Sequence, residues 1–479
     1  MATVRNHHRI ATVDALAQAL EIAKACVASE SGLLPPVREA DALHAELDLG
    51  LGEDGCSFEE LVVRLRAIVQ ASPNSANHRF LNTLFGGREP AALVGEWLAA
   101  VSNVSMYTYK VAGPQVLIEQ ELISQMSAKV GYESGEGTFT PGGSLSNLTA
   151  MLLARNEAVP NAREDGLSGT PLTVYTSSGG HYSTTKNAGI LGLGRARVRR
   201  IDTDFEGRMK PDALAAMIDA DRAAGLTPVF INATAGTTEL GAFDPIPALA
   251  RVARAHGVWL HVDGALGGTL LMSTRHRRLL DGCEHSDSFT WDAHKMMGVP
   301  IICSAILVRE RGLLQKHLDE SADYLFQTAS DDLNPGVRSI QCGRRNDALK
   351  LWAAWKLLGD AGYGVRVDKQ MALSVRAAAM IEADPDLVLV RQPQSINVCF
   401  EVRGAASVAV CAELDRTGAI KVGYCATGDR CAIRLVCVNP ETTDADLEQF
   451  FGEVKACAAR LVRDDLPPTP PSERRSPQQ

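Results

Sequence analysis

The sequence predicts an α/β protein with a large domain on a mostly parallel sheet and a small α+β domain after it. Three observations carry this expectation. From roughly residue 90 to 365, helical stretches alternate with short β-rich runs, the pattern of a sheet covered on both faces. From about 366 the pattern changes to one helix, three β-rich runs and a closing helix. The 479 residues exceed one ordinary core, so two or three domains are expected.

Residues 1–90 read as a helical segment. Val13-Asp14-Ala15-Leu16-Ala17-Gln18-Ala19-Leu20 and Phe58 to Val69 carry apolar residues at helical spacing, and Ser72-Pro73-Asn74-Ser75-Ala76-Asn77 breaks it. The large domain spans 91–365, with β-rich runs Leu172 to Thr176, Pro228 to Asn232, Val258 to Val262 and Ile301 to Val308. In such sheets ligands collect beyond the carboxyl ends of the strands. The small domain spans 366–465. It holds a helix from Val367 to Glu382, runs at Leu387 to Arg391, Ile396 to Val402 and Ala432 to Val438, and a helical stretch from Thr443 to Val462. Residues 466–479 are Pro-rich and polar and read as a disordered tail.

Composition narrows the function. With 46% hydrophobic and 22% charged residues, the chain has the make-up of a soluble globular protein. A net charge of −9 argues against a nucleic-acid surface. Eleven cysteines without a C-x-x-C pair, several in apolar runs (Cys303, Cys399, Cys437), read as buried free thiols in a reducing compartment. No apolar run reaches membrane-spanning length, the first residues lack the layout of a secretion signal, and no metal-ligand spacing occurs. The expected location is the cytoplasm, with no membrane, nucleic-acid or metal partner.

Two weaker patterns need a reading. Gly189-Ile190-Leu191-Gly192-Leu193-Gly194 looks like a dinucleotide loop but follows a helical stretch rather than a strand, so that reading fails. Arg195-Ala196-Arg197-Val198-Arg199-Arg200 reads as a solvated basic edge within reach of an acidic neighbour.

Chemistry concentrates in three places. Thr140-Pro141-Gly142-Gly143-Ser144 precedes a helical pattern from Leu145 to Asn156, so two glycines and a hydroxyl present bare N–H groups for a phosphate at a helix start. His261-Val262-Asp263-Gly264-Ala265 ends an apolar strand on an aspartate. Trp291-Asp292-Ala293-His294-Lys295-Met296 places a lysine after a histidine just past a strand-like run. A lone aspartate at a strand end is ordinarily a turn residue, and a lone loop lysine is ordinarily solvated. In the order phosphate cup, aspartate, lysine they indicate pyridoxal 5'-phosphate (PLP). The lysine can form a Schiff base with the cofactor's aldehyde, and the aspartate can keep its ring nitrogen protonated.

The chain resembles the group II PLP-dependent amino acid decarboxylases of fold type I, closest to the glutamate and cysteine sulfinate decarboxylase branch. The likeness runs from about His78 to Asn439. Its marks are Asn103-Val104-Ser105-Met106-Tyr107-Thr108-Tyr109, Phe139 to Asn147, Ala233-Thr234-Ala235-Gly236-Thr237-Thr238, Ala242-Phe243-Asp244-Pro245-Ile246, His294 to Pro300 and Ile340-Gln341-Cys342-Gly343-Arg344. The resemblance implies a mostly parallel seven-stranded sheet, a homodimer, and a small-molecule amino acid substrate. It also implies roles by position. Lys295 carries the cofactor, Asp263 pairs with the pyridinium nitrogen, and Ala265 lies under the ring with His181 stacked on the other face. Gly143 and Ser144 bind the phosphate with His294 nearby, Thr237 lies near the cofactor edge, and Arg434 grips a substrate carboxylate. Unaided, an arginine in the apolar strand Ala432 to Val438 already calls for an anionic partner.

Several positions depart from the family. Its mobile loop before the Gln-Cys-Gly block offers a tyrosine as proton donor. Here Thr328 to Ser339 is shorter and holds none, Ala329 or Leu333 standing near that place, while Tyr324 upstream reads as a packing residue. Thr83 replaces the usual Gln of a substrate-facing Asn-Gln-Leu, Lys110 a Glu, Leu266 an aromatic and Asp292 an Asn. The leading expectation is α-decarboxylation of an L-amino acid with an acidic side chain. Glutamate, aspartate, cysteine sulfinate, cysteate and a specialised biosynthetic amino acid all stay open. The second reading, from the missing tyrosine, is a decarboxylating aldehyde synthase or other carbanion chemistry, with His181 or Lys295 as alternative acids. The third, a catalytically silent PLP-binding partner protein, sits poorly with intact Lys295, Asp263 and His181.

Overall fold

Seven strands form the central sheet of the computed structural model, which describes residues 10–167, 169–320, 333–428 and 430–463. They are β1 (Glu136–Thr140), β2 (Leu172–Ser177), β3 (Val198–Ile201), β4 (Thr227–Thr234), β5 (Trp259–Asp263), β6 (Ser288–Asp292) and β7 (Ser304–Val308). Their order is β1-β7-β6-β5-β4-β2-β3. The pairs from β6 through β5, β4 and β2 to β3 are parallel, and β7 runs antiparallel to both its neighbours. The expected mostly parallel sheet is therefore present.

Both faces of this sheet are covered, and strand periodicity divides its side chains between two cores. Val174, Phe230 and Ile306 pack with Leu148 and Met151 of helix Gly143–Ala158. Their neighbours Tyr175, Ile231 and Leu307 join the other core with Leu249 and Leu351. That is why β2, β6 and β7 are buried along their whole length.

A second, antiparallel sheet follows, with β8 (Leu387–Leu389), β9 (Asn397–Val402), β10 (Gly423–Thr427) and β11 (Arg430–Val436) in the order β10-β11-β9-β8. Helices Ser407–Arg416 and Asp444–Arg463 cover one face, where the Phe400 ring sits 6.0 Å from Phe450 and 5.5 Å from Phe451. The opposite face meets the large sheet's loops: Asn397 Nδ2 donates to the carbonyls of Thr238 (2.8 Å) and Glu239 (3.1 Å).

Several elements differ from the sequence reading. The helix expected from Val367 begins at Ala348 and runs to Ala383, broken at Gly359, whose φ of 64° an L side chain rarely adopts. β1 was not foreseen because Glu136-Gly137-Thr138 reads as polar. Tertiary context secures it, with Glu136 Oε1 accepting from Leu314 N at 2.7 Å. The run from Ile301 becomes a strand only at Ser304. The basic cluster ends in edge strand β3, where Arg199 does reach an acid, pairing with buried Asp221 at 2.9 Å. Helix Ser183–Ile190 runs into the Gly189–Gly194 stretch and takes in its first two residues, as its rejection as a dinucleotide loop required. Tyr324, Ala329 and the rest of 321–332, the start 1–9 and the tail 464–479 lie outside the described residues. Among the described residues, no helix is long and apolar enough to cross a membrane.

Candidate active site

A cleft of about 430 Å³ opens at the carboxyl ends of the parallel strands. Lys295, Asp263, His181, Gly143, Ser144, Ala265 and His294 all line it, so seven of the sequence-predicted residues share one cleft.

Asp263 is the last residue of β5 and is buried. Its Oδ2 accepts from Asn147 Nδ2 at 2.8 Å and its Oδ1 from the Ala265 amide at 3.2 Å. Asn147 is held in turn. Its Oδ1 accepts from Thr290 Oγ1 at 2.8 Å and from His261 Nε2 at 3.0 Å, while Ser288 Oγ lies 2.8 Å from His261 Nδ1. Burial pushes the His261 pKa down to about 4, so the ring is neutral and can donate from one nitrogen and accept at the other. The chain of bonds fixes which way the Asn147 amide points and delivers an N–H to Asp263.

Lys295 follows β6 in a tight loop, its N–H donating to the Asp292 carbonyl at 3.1 Å. From the long helix, Arg366 Nε (2.9 Å) and Gln370 Nε2 (3.0 Å) both donate to the Met296 carbonyl. Gly298 has φ 70°, and a Cβ there would stand 2.1 Å from the Arg366 guanidinium, so only glycine fits. Lys295 Nζ lies 3.5 Å from Asp292 Oδ2, and His294 Nδ1 donates to the Cys303 carbonyl at 2.9 Å.

Helix Gly143–Ala158 starts with its first amides at the cleft floor. Gly142 has φ 103°, which turns the chain from β1 into the helix. The amides of Gly143 and Ser144 donate to no protein atom among the described residues. His181 is half-buried, with its ring 4.2 Å from that of Tyr182. Burial holds its pKa below the usual value, and nearby Lys295 adds to this, while Asp263 and Asp292 oppose it.

Three predicted residues stand back from the cleft. Thr237 is buried in its own turn, its Oγ1 accepting from Ala242 N at 3.0 Å, and Thr238 lines the cleft instead. Thr83 Oγ1 turns away to donate to the Phe85 carbonyl at 2.8 Å, and Phe85 lines the cleft. Arg434 donates to the carbonyls of Thr238 and Asn82, both at 2.8 Å, rather than to a carboxylate. Lys110 is exposed and away from the cleft. Sequence reasoning missed Tyr182, Phe85, Ile301 and Ile302 in the lining and the roles of Asn147, His261 and Thr290. Asn147 had a usable signal: it lies four residues after Gly143, on the same face of the helix.

These residues fit pyridoxal phosphate. Amides with no partner among the described residues and a side-chain-free position could receive a phosphate, and a buried, oriented carboxylate and a lysine amine line the same cleft.

The comparisons with known proteins agree. The pyridoxal-dependent decarboxylase conserved domain matches residues 42–403. Cysteine sulfinic acid decarboxylase of Mus musculus is 39% identical over 441 residues, covering 87% of this chain and 90% of that protein. Acidic amino acid decarboxylase GADL1 of Mus musculus is 36% identical over 437 residues, covering 86% and 80%. A crystal structure of mouse CSAD in apo form superposes with a TM-score of 0.89 at 35% identity, covering 94% of this chain and 99% of that one. The family match spans the large sheet and every cleft residue: this chain belongs to the pyridoxal-dependent decarboxylases, fold type I enzymes that use pyridoxal 5'-phosphate to remove the carboxylate of an amino acid.

Proposed function

We propose that this enzyme removes the α-carboxylate of an L-amino acid with an acidic side chain, through a cofactor held on Lys295. The observation that carries the reading is one cleft containing the lysine, a buried aspartate oriented by Asn147, and two free helix-start amides. When bound, the cofactor supplies an aldehyde for the substrate's amine and a ring that accepts the electron pair left by departing CO2.

The chain's own residues do the rest. Asp263, held by two hydrogen bonds in a buried position, keeps a proton at the ring nitrogen. His181, whose pKa burial holds down, would pack beside the bound cofactor with little added charge. Ala265, also in the cleft lining, would leave room for it. Gly143 and Ser144 bind the phosphate through their N–H groups and the Ser144 hydroxyl, and His294 steadies the loop that carries Lys295. Thr237 holds the turn that presents Thr238, and Thr83 fixes Phe85 at the mouth.

The acidic side chain has two supports. The relatives named above include a cysteine sulfinic acid decarboxylase and an acidic amino acid decarboxylase. Arg434 stands directly behind Thr238, and among the described residues no carboxylate lies within 4.0 Å of its guanidinium. With its terminal nitrogens already bonded to carbonyls, Arg434 would favour an anionic substrate through its charge behind Thr238 rather than by direct grip. A panel of glutamate, aspartate, cysteine sulfinate, cysteate and neutral amino acids tests the reading. CO2 and amine from an acidic member are expected, and release from neutral members alone would defeat it.

The second reading, a decarboxylating aldehyde synthase, rests on the absence of tyrosine from Thr328 to Ser339. Oxygen consumption with aldehyde and ammonia as products would establish it in place of the first.

We further propose a cytoplasmic homodimer. All eleven cysteines are free thiols, as a reducing compartment allows. Helices Thr12–Ala28 and Phe58–Ala71 leave Val13, Leu16, Leu20, Leu61, Val63 and Leu65 exposed, an apolar surface that a second copy would cover. A monomeric mass by sedimentation would remove the dimer.

A further inference from the structure

Asp292 ends β6 on the same sheet face as Asp263, because Asp263 pairs with Thr290 two residues earlier. Its carboxylate is pressed against the first turn of helix Gly143–Ala158. A Cβ placed on Gly143 would stand 2.7 Å from Oδ2 and 3.0 Å from Oδ1. The side chain is only 3% exposed, and among the described residues Oδ1 has no hydrogen-bond partner. Oδ2 faces Lys295 Nζ at 3.5 Å and His294 Nε2 at 3.6 Å.

A carboxylate at a helix start ordinarily accepts from the free N–H groups there. Among the described residues this one does not, and the amides of Gly143 and Ser144 stay open beside it. An anion-binding corner thus contains a fixed, buried, half-unpartnered anion. The nearest positive charge is Lys295, the group that engages the cofactor's aldehyde.

We propose that Asp292 sets how tightly the helix-start cup holds a phosphate, by opposing it. Like charges at this range repel strongly where water is excluded. The cup therefore binds its phosphate less tightly than its open amides would allow, and the enzyme's cofactor occupancy follows the cofactor supply. This rests on the reading of Gly143 and Ser144 as the phosphate cup.

The test titrates the full-length apoenzyme with pyridoxal phosphate and with pyridoxal, which lacks the phosphate. Asp292→Asn removes the charge and adds a donor in the same volume. It should improve affinity for pyridoxal phosphate relative to pyridoxal by about tenfold. Asp292→Ala, which removes the charge without adding a donor, should shift the ratio in the same direction by less, and it serves if Asp292→Asn does not fold. Inorganic phosphate alone should bind the apoenzyme of both variants more tightly than that of the wild type. An unchanged ratio, or equal tightening for both ligands, overturns the proposal, since an effect through Lys295 would move both. Borohydride reduction of the wild-type holoenzyme and peptide mapping test the underlying site separately. A label on another lysine defeats the site reading. A label on Lys295 with an unchanged ratio defeats only the role of Asp292.

Discussion

Two carboxylates end neighbouring strands of the large sheet, both buried and both lining one cleft, yet they are held in opposite ways. Asp263 is bonded at both oxygens, to Asn147 and to the Ala265 amide. Among the described residues, Asp292 has one oxygen with no partner and the other facing Lys295 at 3.5 Å. A buried charge with full hydrogen bonding is a fixed feature of the protein, whereas one with a free oxygen has its partner outside the fold or none at all. The first suits a group that must hold a proton on a ring nitrogen. The second suits a group whose effect falls on whatever occupies the cup.

The sharpest break comes from the lysine that shares their cleft. Lys295→Ala should abolish decarboxylation and leave no borohydride-stable cofactor on the protein, which mass spectrometry of the reduced chain will show. Persisting label elsewhere would remove the lysine's role. Next in size, Asp263→Asn should lower kcat/KM by about a thousandfold while the cofactor still binds. A loss below about tenfold would mean the ring nitrogen does not depend on this carboxylate.

Acid should act through the network behind Asp263. The folded pKa of His261 is about 4 against an ordinary 6.5, so between these values the unfolded chain binds a proton that the folded chain refuses. Stability therefore falls as pH drops from 6.5 toward 4, by roughly 3 kcal/mol. Urea midpoints across that window should show the fall, and His261→Asn should lose part of it. An identical pH profile for the variant would exclude His261 as the source.

Removing the partner makes Asp263 resemble Asp292. Asn147→Ala should reduce kcat/KM by about thirtyfold with a smaller effect on KM, because Asp263 loses an oriented donor but keeps the Ala265 amide. Wild-type rates would show that the network is structural only. The smallest effect concerns the substrate end: Arg434→Ala should raise KM for an acidic substrate about tenfold and leave neutral substrates unaffected. Equal changes for both would assign Arg434 to holding the Thr238 and Asn82 carbonyls alone.

Much of this molecule is legible in the chain itself. The β-rich runs at Leu172, Pro228 and Val258 announce β2, β4 and β5, and the glycine pair before a helical pattern announces the cup. Both follow from local rules: strand runs and helix starts are written in neighbouring residues. β1 and β10 were not legible, because Glu136-Gly137-Thr138 and Gly423-Tyr424-Cys425 become strands only by pairing with β7 and β11. Thr83, Thr237 and Arg434 show the same limit in the site. Their residue types suit a substrate pocket, but each side chain found a nearer carbonyl or amide once the chain had folded.

By itself the sequence determined the sheet type, the lysine and aspartate at consecutive strand ends, and the chemistry they can support, since those depend on residue identity and short spacing. Only the tertiary structure decided which carboxylate is fully bonded and which is not. Asn147, Thr290 and His261 come from three separate elements, and hydrogen bonds between them exist only when the helix lies across the sheet.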